Sequence, residues 1–277
     1  MASKNRLWVF VGPLFLLAIS YVIYIVRYPM WNVTFPVALP YVGMFLSYLA
    51  VFLLSLVLIK KDMKTKLTDL FQFKDARVVL LGLLLAVLLQ VIFFGFVVLL
   101  GGKPASISFA NGTLSSFPIT VAITLVFVLY VLYGSFGAFA EEVAYRAYSE
   151  SRIASKYGYV IGISISTLLF TLQHIHIFQA NWLEMFFQRQ FIYVLFFGIF
   201  VGYFFKKSNG NLWAVVAFHV LINIIDLSLP ISFSAPSVYT HWIITILSFT
   251  ILMIILHVLP FNKLMKTKNL TNNLTQT

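Results

Sequence analysis

At 277 residues, 61% hydrophobic and 10% charged, with a mean hydropathy of +0.96, the chain is too apolar for a soluble domain, in which about a quarter of residues are charged. The net charge of +11 would suggest nucleic acid in a soluble protein, but here the basic residues occupy short segments between apolar runs, where they set membrane topology, so nucleic acid is not expected as a partner. The lack of cysteine excludes disulfides, thiolate catalysis and Cys-ligated zinc.

Lys4 and Arg6 precede an apolar run over 7–26, about 20 residues and long enough to span a bilayer core about 30 Å thick. No small-residue cleavage site follows it, so a retained first helix is expected rather than a signal peptide. Further apolar runs predict spans at about 37–59, 78–100, 119–139, 157–178, 191–205, 212–229 and 239–259. The expected fold is all-α: a polytopic transmembrane bundle of about eight spans with both termini cytoplasmic. On that topology all the Lys and Arg residues except Arg27, Lys103 and Arg189 lie on the cytoplasmic side, and Lys60, Lys61, Lys64, Lys66, Lys74 and Arg77 crowd into one loop.

The expected domain organisation is three transmembrane helices over 1–118, a core over 119–230, a last helix over 231–260 and a disordered polar tail over 261–277. Gly and Pro fall mostly in loops, no internal repeat is visible, and localisation in a bacterial plasma membrane is expected.

Charges inside a bilayer cost at least about 2.5 to 3.5 kcal/mol, so those retained there usually serve a site. The fourth run ends in Ala140-Glu141-Glu142-Val143-Ala144-Tyr145-Arg146. On a helix Glu142 and Arg146 share a face and can pair, whereas Glu141 points about 100° away and is left for chemistry. The other costly groups are Gln90, Gln173, His174, His176, His219, Asn223 and Asp226, with His241 and His257 near the ends of the last span. Phe170 and His174 stand four apart, so the phenyl ring can fix the imidazole from beneath. His219, Asn223 and Asp226 follow the i, i+4, i+7 rule and form one polar stripe on an apolar helix. Taken singly, an intramembrane His is as often a satisfied interhelical hydrogen bond as a functional group, Asn and Gln are more often helix glue, and the acidic pair with its arginine can be a salt-bridged helix end.

In this order, Glu-Glu-x-x-x-Arg at 141–146, Phe-x-x-x-His at 170–174 and His-x-x-x-Asn at 219–223 resemble the CAAX protease and bacteriocin-processing (Abi) family of intramembrane proteases. The resemblance covers roughly 119–230 and includes the Asn-Gly-Asn-Leu-Trp approach at 209–213. Tyr145 and Ala147 stand where members of the family often carry Phe and Gly, which bears on pocket shape.

The resemblance implies hydrolysis of a peptide bond in a membrane-associated protein or peptide substrate, of CAAX type or of leader or bacteriocin type. Such a reaction needs a base, an oxyanion stabiliser and an acid for the leaving amine. Glu141 with His174 would activate water, His219 and Asn223 would hold the oxyanion, and Glu142, Arg146 and Phe170 would support them. Glu141, His174 and His219 also form a two-His-one-carboxylate set suited to one zinc ion, so glutamate and metal mechanisms both stand, and the cofactor is none or zinc. The H-E-x-x-H signature is absent. A non-proteolytic scaffold or bacteriocin self-immunity protein is the alternative function; a transporter is less favoured, because no inverted repeat is visible.

One site requires the fourth helix to continue past Glu141 to about Glu150, and the fifth to tilt or to begin with an interfacial turn, which Arg152, Lys156 and Gly158 permit.

Overall fold

The computed structural model describes residues 8–31, 38–63, 66–73, 75–101, 103–104, 131–132, 134–175, 183, 187, 191–228, 233–234 and 237–261, with the side chains of 23–31, 38–42, 44, 103–104, 226–228 and 233–234 outside the description. Most of the loop before the fourth span, the start of that span, His176, Arg189, the Asp226 side chain, Lys4, Arg6 and the tail from 262 therefore lie outside the described residues.

The described residues are almost wholly helical. Helix α1 is Trp8–Trp31 and α2 is Ala38–Leu58, which closes in a π-helical turn at Ile59–Met63. A one-turn α3, Leu67–Leu70, leads to α4, Ala76–Leu99, whose N-cap Asp75 accepts from the backbone N–H of Arg77 at 2.9 Å. Helix α5 covers 134–142 and runs unbroken into a π-helical stretch, Val143–Glu150, and then into α6, Ser151–Tyr157. Gly158, at φ +85°, turns the chain sharply into α7, Tyr159–Gln173. Helix α8 is Phe191–Lys207, α9 is Leu212–Ser228 and α10 is Val238–Val258. Between α8 and α9 the turn passes through Asn209 and Gly210, both at positive φ, and Asn211 caps α9 by accepting from Ala214 N at 3.3 Å. Lys103–Pro104 pairs antiparallel with Phe233–Ser234, a two-residue bridge.

Two of these helices, α4 and α10, are long and apolar enough to cross a membrane. On α4 the apolar residues are not confined to a core stripe. Val78, Leu85, Ala86 and Leu89 are buried while Leu80, Leu84, Val87 and Val91 are exposed, which is the pattern of a helix packed on one side and facing hydrocarbon on the other.

Glycines let neighbouring helices approach closely at two crossings. A Cβ added at Gly82 of α4 would lie 2.3 Å from the Ala214 carbonyl oxygen of α9, and one at Gly198 of α8 would lie 2.8 Å from Thr167 Cγ2 of α7. Such small-residue contacts are the usual currency of helix packing in lipid, where apolar burial gives no advantage over the acyl chains. The continuous α5–α6 rod and the Gly158 turn bring the first and second motifs side by side, the arrangement expected for a single site.

Candidate active site

The first motif sits where α-helical geometry gives way to π-helical geometry. The wider turn is supported locally: Ser149 Oγ and Ser151 Oγ donate to carbonyls five residues back, on Ala144 at 2.8 Å and Arg146 at 3.0 Å. Segments of this kind frequently mark functional sites. Every residue from Ala140 to Glu150 is buried.

Glu142 and Arg146 pair as their spacing predicts, Nε to Oε2 at 3.4 Å, both fully buried. The guanidinium also reaches the Gly198 carbonyl through Nη2 at 3.4 Å and lies 4.9 Å from the centroid of the Phe170 ring. Glu142 has a second partner that helical spacing does not reveal: its Oε1 accepts from Nδ1 of His219 at 2.7 Å. The other nitrogen of that ring, Nε2, faces Oε2 of Glu141 at 3.8 Å, beyond direct hydrogen-bond distance. Glu141 is 4% exposed and His219 also 4%, so this group is almost closed to bulk solvent.

His174 ends α7. Its Nδ1 lies 2.8 Å from the Phe170 carbonyl oxygen, which can only accept, so Nδ1 carries the proton and a neutral ring keeps its lone pair on Nε2. Phe170 packs against His174 with ring centroids 4.6 Å apart, edge-on at 60°. The same phenyl ring meets Tyr145 at 5.4 Å and His219 at 6.2 Å, so one side chain sets the spacing of all three motifs. Asn223, one turn beyond His219, donates Nδ2–H to the Gly134 carbonyl at 3.4 Å, leaving a second N–H on the amide.

Glu141, Glu142, Arg146, Phe170, His174, His219 and Asn223 are thus gathered at the junction of α5, α7, α8 and α9. His241 packs edge-on against Phe93 at 5.7 Å, and His257 takes the Tyr203 hydroxyl at 2.9 Å, so neither histidine is committed to the cluster. An apolar cavity of about 430 Å³ between α8 and α10 is lined by Phe196, Tyr203, Met253 and His257 among others, and by no motif residue.

One participant, Gln173, and one further buried carboxylate, Glu150, are not legible from the motifs. Gln173, read above as helix glue, donates Nε2–H to Glu141 Oε1 at 3.0 Å, and its own carbonyl accepts from the Tyr145 hydroxyl. Glu150 is 1% exposed, and neither of its carboxylate oxygens has a hydrogen-bond partner among the described residues. Its sequence signal was the four-residue step from Arg146. Among the described residues no three His, Cys, Asp or Glu side chains are grouped so as to hold a metal ion.

The N-terminal helix is tied to this core. Tyr21 donates to the Leu172 carbonyl; Arg152 pairs with Asp62 and donates to the carbonyls of Val9 at 3.1 Å and Trp8 at 2.9 Å. Tyr148 donates to Asp62 at 2.6 Å.

Comparison with curated proteins finds no match to the chain. Comparison with protein families matches residues 123–225 to the model described as type II CAAX prenyl endopeptidase Rce1-like. The match covers less than half of the chain but contains all three motifs and every side chain that meets at Phe170. Residues 123–225 are therefore similar to the Rce1-like family of CAAX prenyl endopeptidases, in agreement with the family that the three motifs resemble.

Proposed function

We propose that the protein is a multi-pass intramembrane endopeptidase that hydrolyses a peptide bond of a membrane-associated protein or peptide, of CAAX type or of leader type, with water activated by Glu141 and His174. The observation that carries this reading is that two buried carboxylates flank the His219 ring, which shares the Phe170 ring with His174, all within the family-matched segment.

In this scheme Glu141 takes a proton from water as the oxygen attacks the scissile carbonyl, and the lone pair on His174 Nε2 orients that water. The tetrahedral oxyanion forms beside His219 and Asn223. The spare amide N–H of Asn223 donates to it, and so does Nε2–H of a doubly protonated His219, whose charge Glu142 offsets from Nδ1. Collapse breaks the C–N bond, and the proton held by Glu141 passes to the leaving amine. Arg146 keeps Glu142 in place.

Glu141, His174 and His219 are also the residues a zinc ion would use. Their donors do not converge on one point among the described residues, so no step here runs through a metal. Eight spans with cytoplasmic termini, in a bacterial plasma membrane, remain the proposed topology and location.

The test compares the peptide pools of cells carrying wild type or Glu141→Ala at matched protein level by mass spectrometry. A peptide lost and a precursor accumulated support the protease. Identical pools, with a deletion phenotype rescued equally by both, overturn it in favour of a scaffold or immunity protein.

A further inference from the structure

Glu141 is held by a hydrogen-bond chain that begins on its own helix. Tyr145, 1% exposed, donates its hydroxyl proton to Gln173 Oε1, and Gln173 donates Nε2–H to Glu141 Oε1 at 3.0 Å. The direction of this chain is fixed by chemistry. Glu141 as a carboxylate only accepts, so the amide must turn its NH₂ toward it; the amide then presents its carbonyl to Tyr145, which has a proton to give. Reversing the amide would set its oxygen against a carboxylate oxygen and leave the phenol proton facing an NH₂ group. In a site nearly closed to water both errors are costly.

The consequence is a difference between the two oxygens of Glu141. Oε1 is engaged by Gln173, whereas Oε2 looks toward His219 Nε2 at 3.8 Å. We infer that Tyr145 and Gln173 form a positioning relay that pins Oε1 of Glu141 and leaves Oε2 as the atom that receives the proton from water. The inference deepens the proposed protease reading and rests on it for its kinetic consequence, while its geometric content stands apart. Gln173 immediately precedes His174, so the relay also couples the placement of the carboxylate to that of the second motif's imidazole.

The test uses the purified full-length protein in lipid nanodiscs and an internally quenched prenylated CAAX peptide as probe. Gln173→Met is expected to lower kcat by about 10- to 100-fold at unchanged KM, the scale of a small misplacement of a reacting group. Tyr145→Phe should lower kcat less, and the double variant should be no worse than Gln173→Met alone, because both substitutions break one chain. Additive losses, or losses that follow the melting temperature, overturn the relay in favour of simple packing.

Glu141→Gln separates the two levels of argument. If it retains full activity the assignment of Glu141 as the base falls, and the relay with it; if it is inactive while Gln173→Met has wild-type kcat, only the relay falls. A structure of Gln173→Met supplies an outcome independent of turnover: a Glu141 carboxylate turned away from its present position supports the relay, and an unmoved one overturns it.

Discussion

Nδ1 of His219 donates to Oε1 of Glu142 across 2.7 Å, joining the third motif to the second carboxylate of the first. Glu142 thereby serves Arg146 and His219 at once. Glu142→Gln preserves shape and an acceptor for the imidazole but removes the charge that offsets its second proton. Replacing an acid that orients a histidine by its amide costs up to about 10⁴ in turnover elsewhere. A loss of kcat between about 10² and 10⁴, with the melting temperature little changed, is the expected result on a prenylated CAAX peptide.

Arg146 is enclosed by Glu142, the Gly198 carbonyl and the Phe170 face. Arg146→Ala takes the guanidinium from a buried carboxylate that keeps only its His219 partner, and breaking a buried ion pair from one side costs about 3 to 5 kcal/mol. The expected phenotype is a fall in thermal stability in detergent as well as in activity. A variant inactive yet as stable as wild type would show that the arginine acts in chemistry instead.

Two glycines of α4 make a matched test of packing. At Gly82 a methyl group would meet the Ala214 carbonyl oxygen at 2.3 Å, whereas at Gly95 nothing lies within 4 Å. Gly82→Ala should destabilise by about 1 to 3 kcal/mol through overpacking, and Gly95→Ala should be neutral or stabilise by up to about 1 kcal/mol through helix propensity. Thermal unfolding of the two variants side by side checks the α4–α9 crossing.

Asp75 caps α4 outside the membrane. The Arg77 side chain donates to its carboxylate, at 2.6 Å through Nη2, and holds the group below its ordinary range. A depressed folded value gives stability that is present above the unfolded carboxylate pKa, about 3.9, and lost as pH falls through the lower folded value. Asp75→Ala should therefore cost about 0.5 to 2 kcal/mol near neutrality. The difference from wild type should shrink below about pH 4. Denaturation at several pH values reads this directly.

The glutamate and zinc mechanisms separate on metal content. The expected outcome is full activity after dialysis against a strong chelator and substoichiometric zinc by elemental analysis. One zinc per chain, with activity lost on its removal and restored by zinc, would replace the glutamate scheme.

Much of the helical layout is legible because apolar runs of membrane length leave few other options. The third span, read as 78–100, is Ala76–Leu99, and the eighth, read as 239–259, is Val238–Val258. The pairing of Glu142 with Arg146 and the packing of Phe170 on His174 follow from spacing on a single helix. What spacing does not carry is a partner on another helix. His219 lies 77 residues from Glu142, and no periodicity joins them. Gln173 has the composition of helix glue, and only its two neighbours reveal what it holds. Tyr145 reads as a variant aromatic until its hydroxyl finds an acceptor. The π-helical stretch escapes too, because an expected period of 3.6 fits Val143–Glu150 no worse than its neighbours.

The ties between α1 and the motif-bearing helices bear on protein engineering. Arg152 borrows the carbonyls of Trp8 and Val9, and Leu172 receives the hydroxyl of Tyr21, all three donors or hosts lying outside the family-matched segment. A chimaera that grafts residues 123–225 onto other flanking helices would carry a guanidinium without its hosts and the end of α7 without its clamp. The boundaries of the family match and the boundaries of the transplantable unit are different lines on this chain, and the second must be drawn to include the first helix.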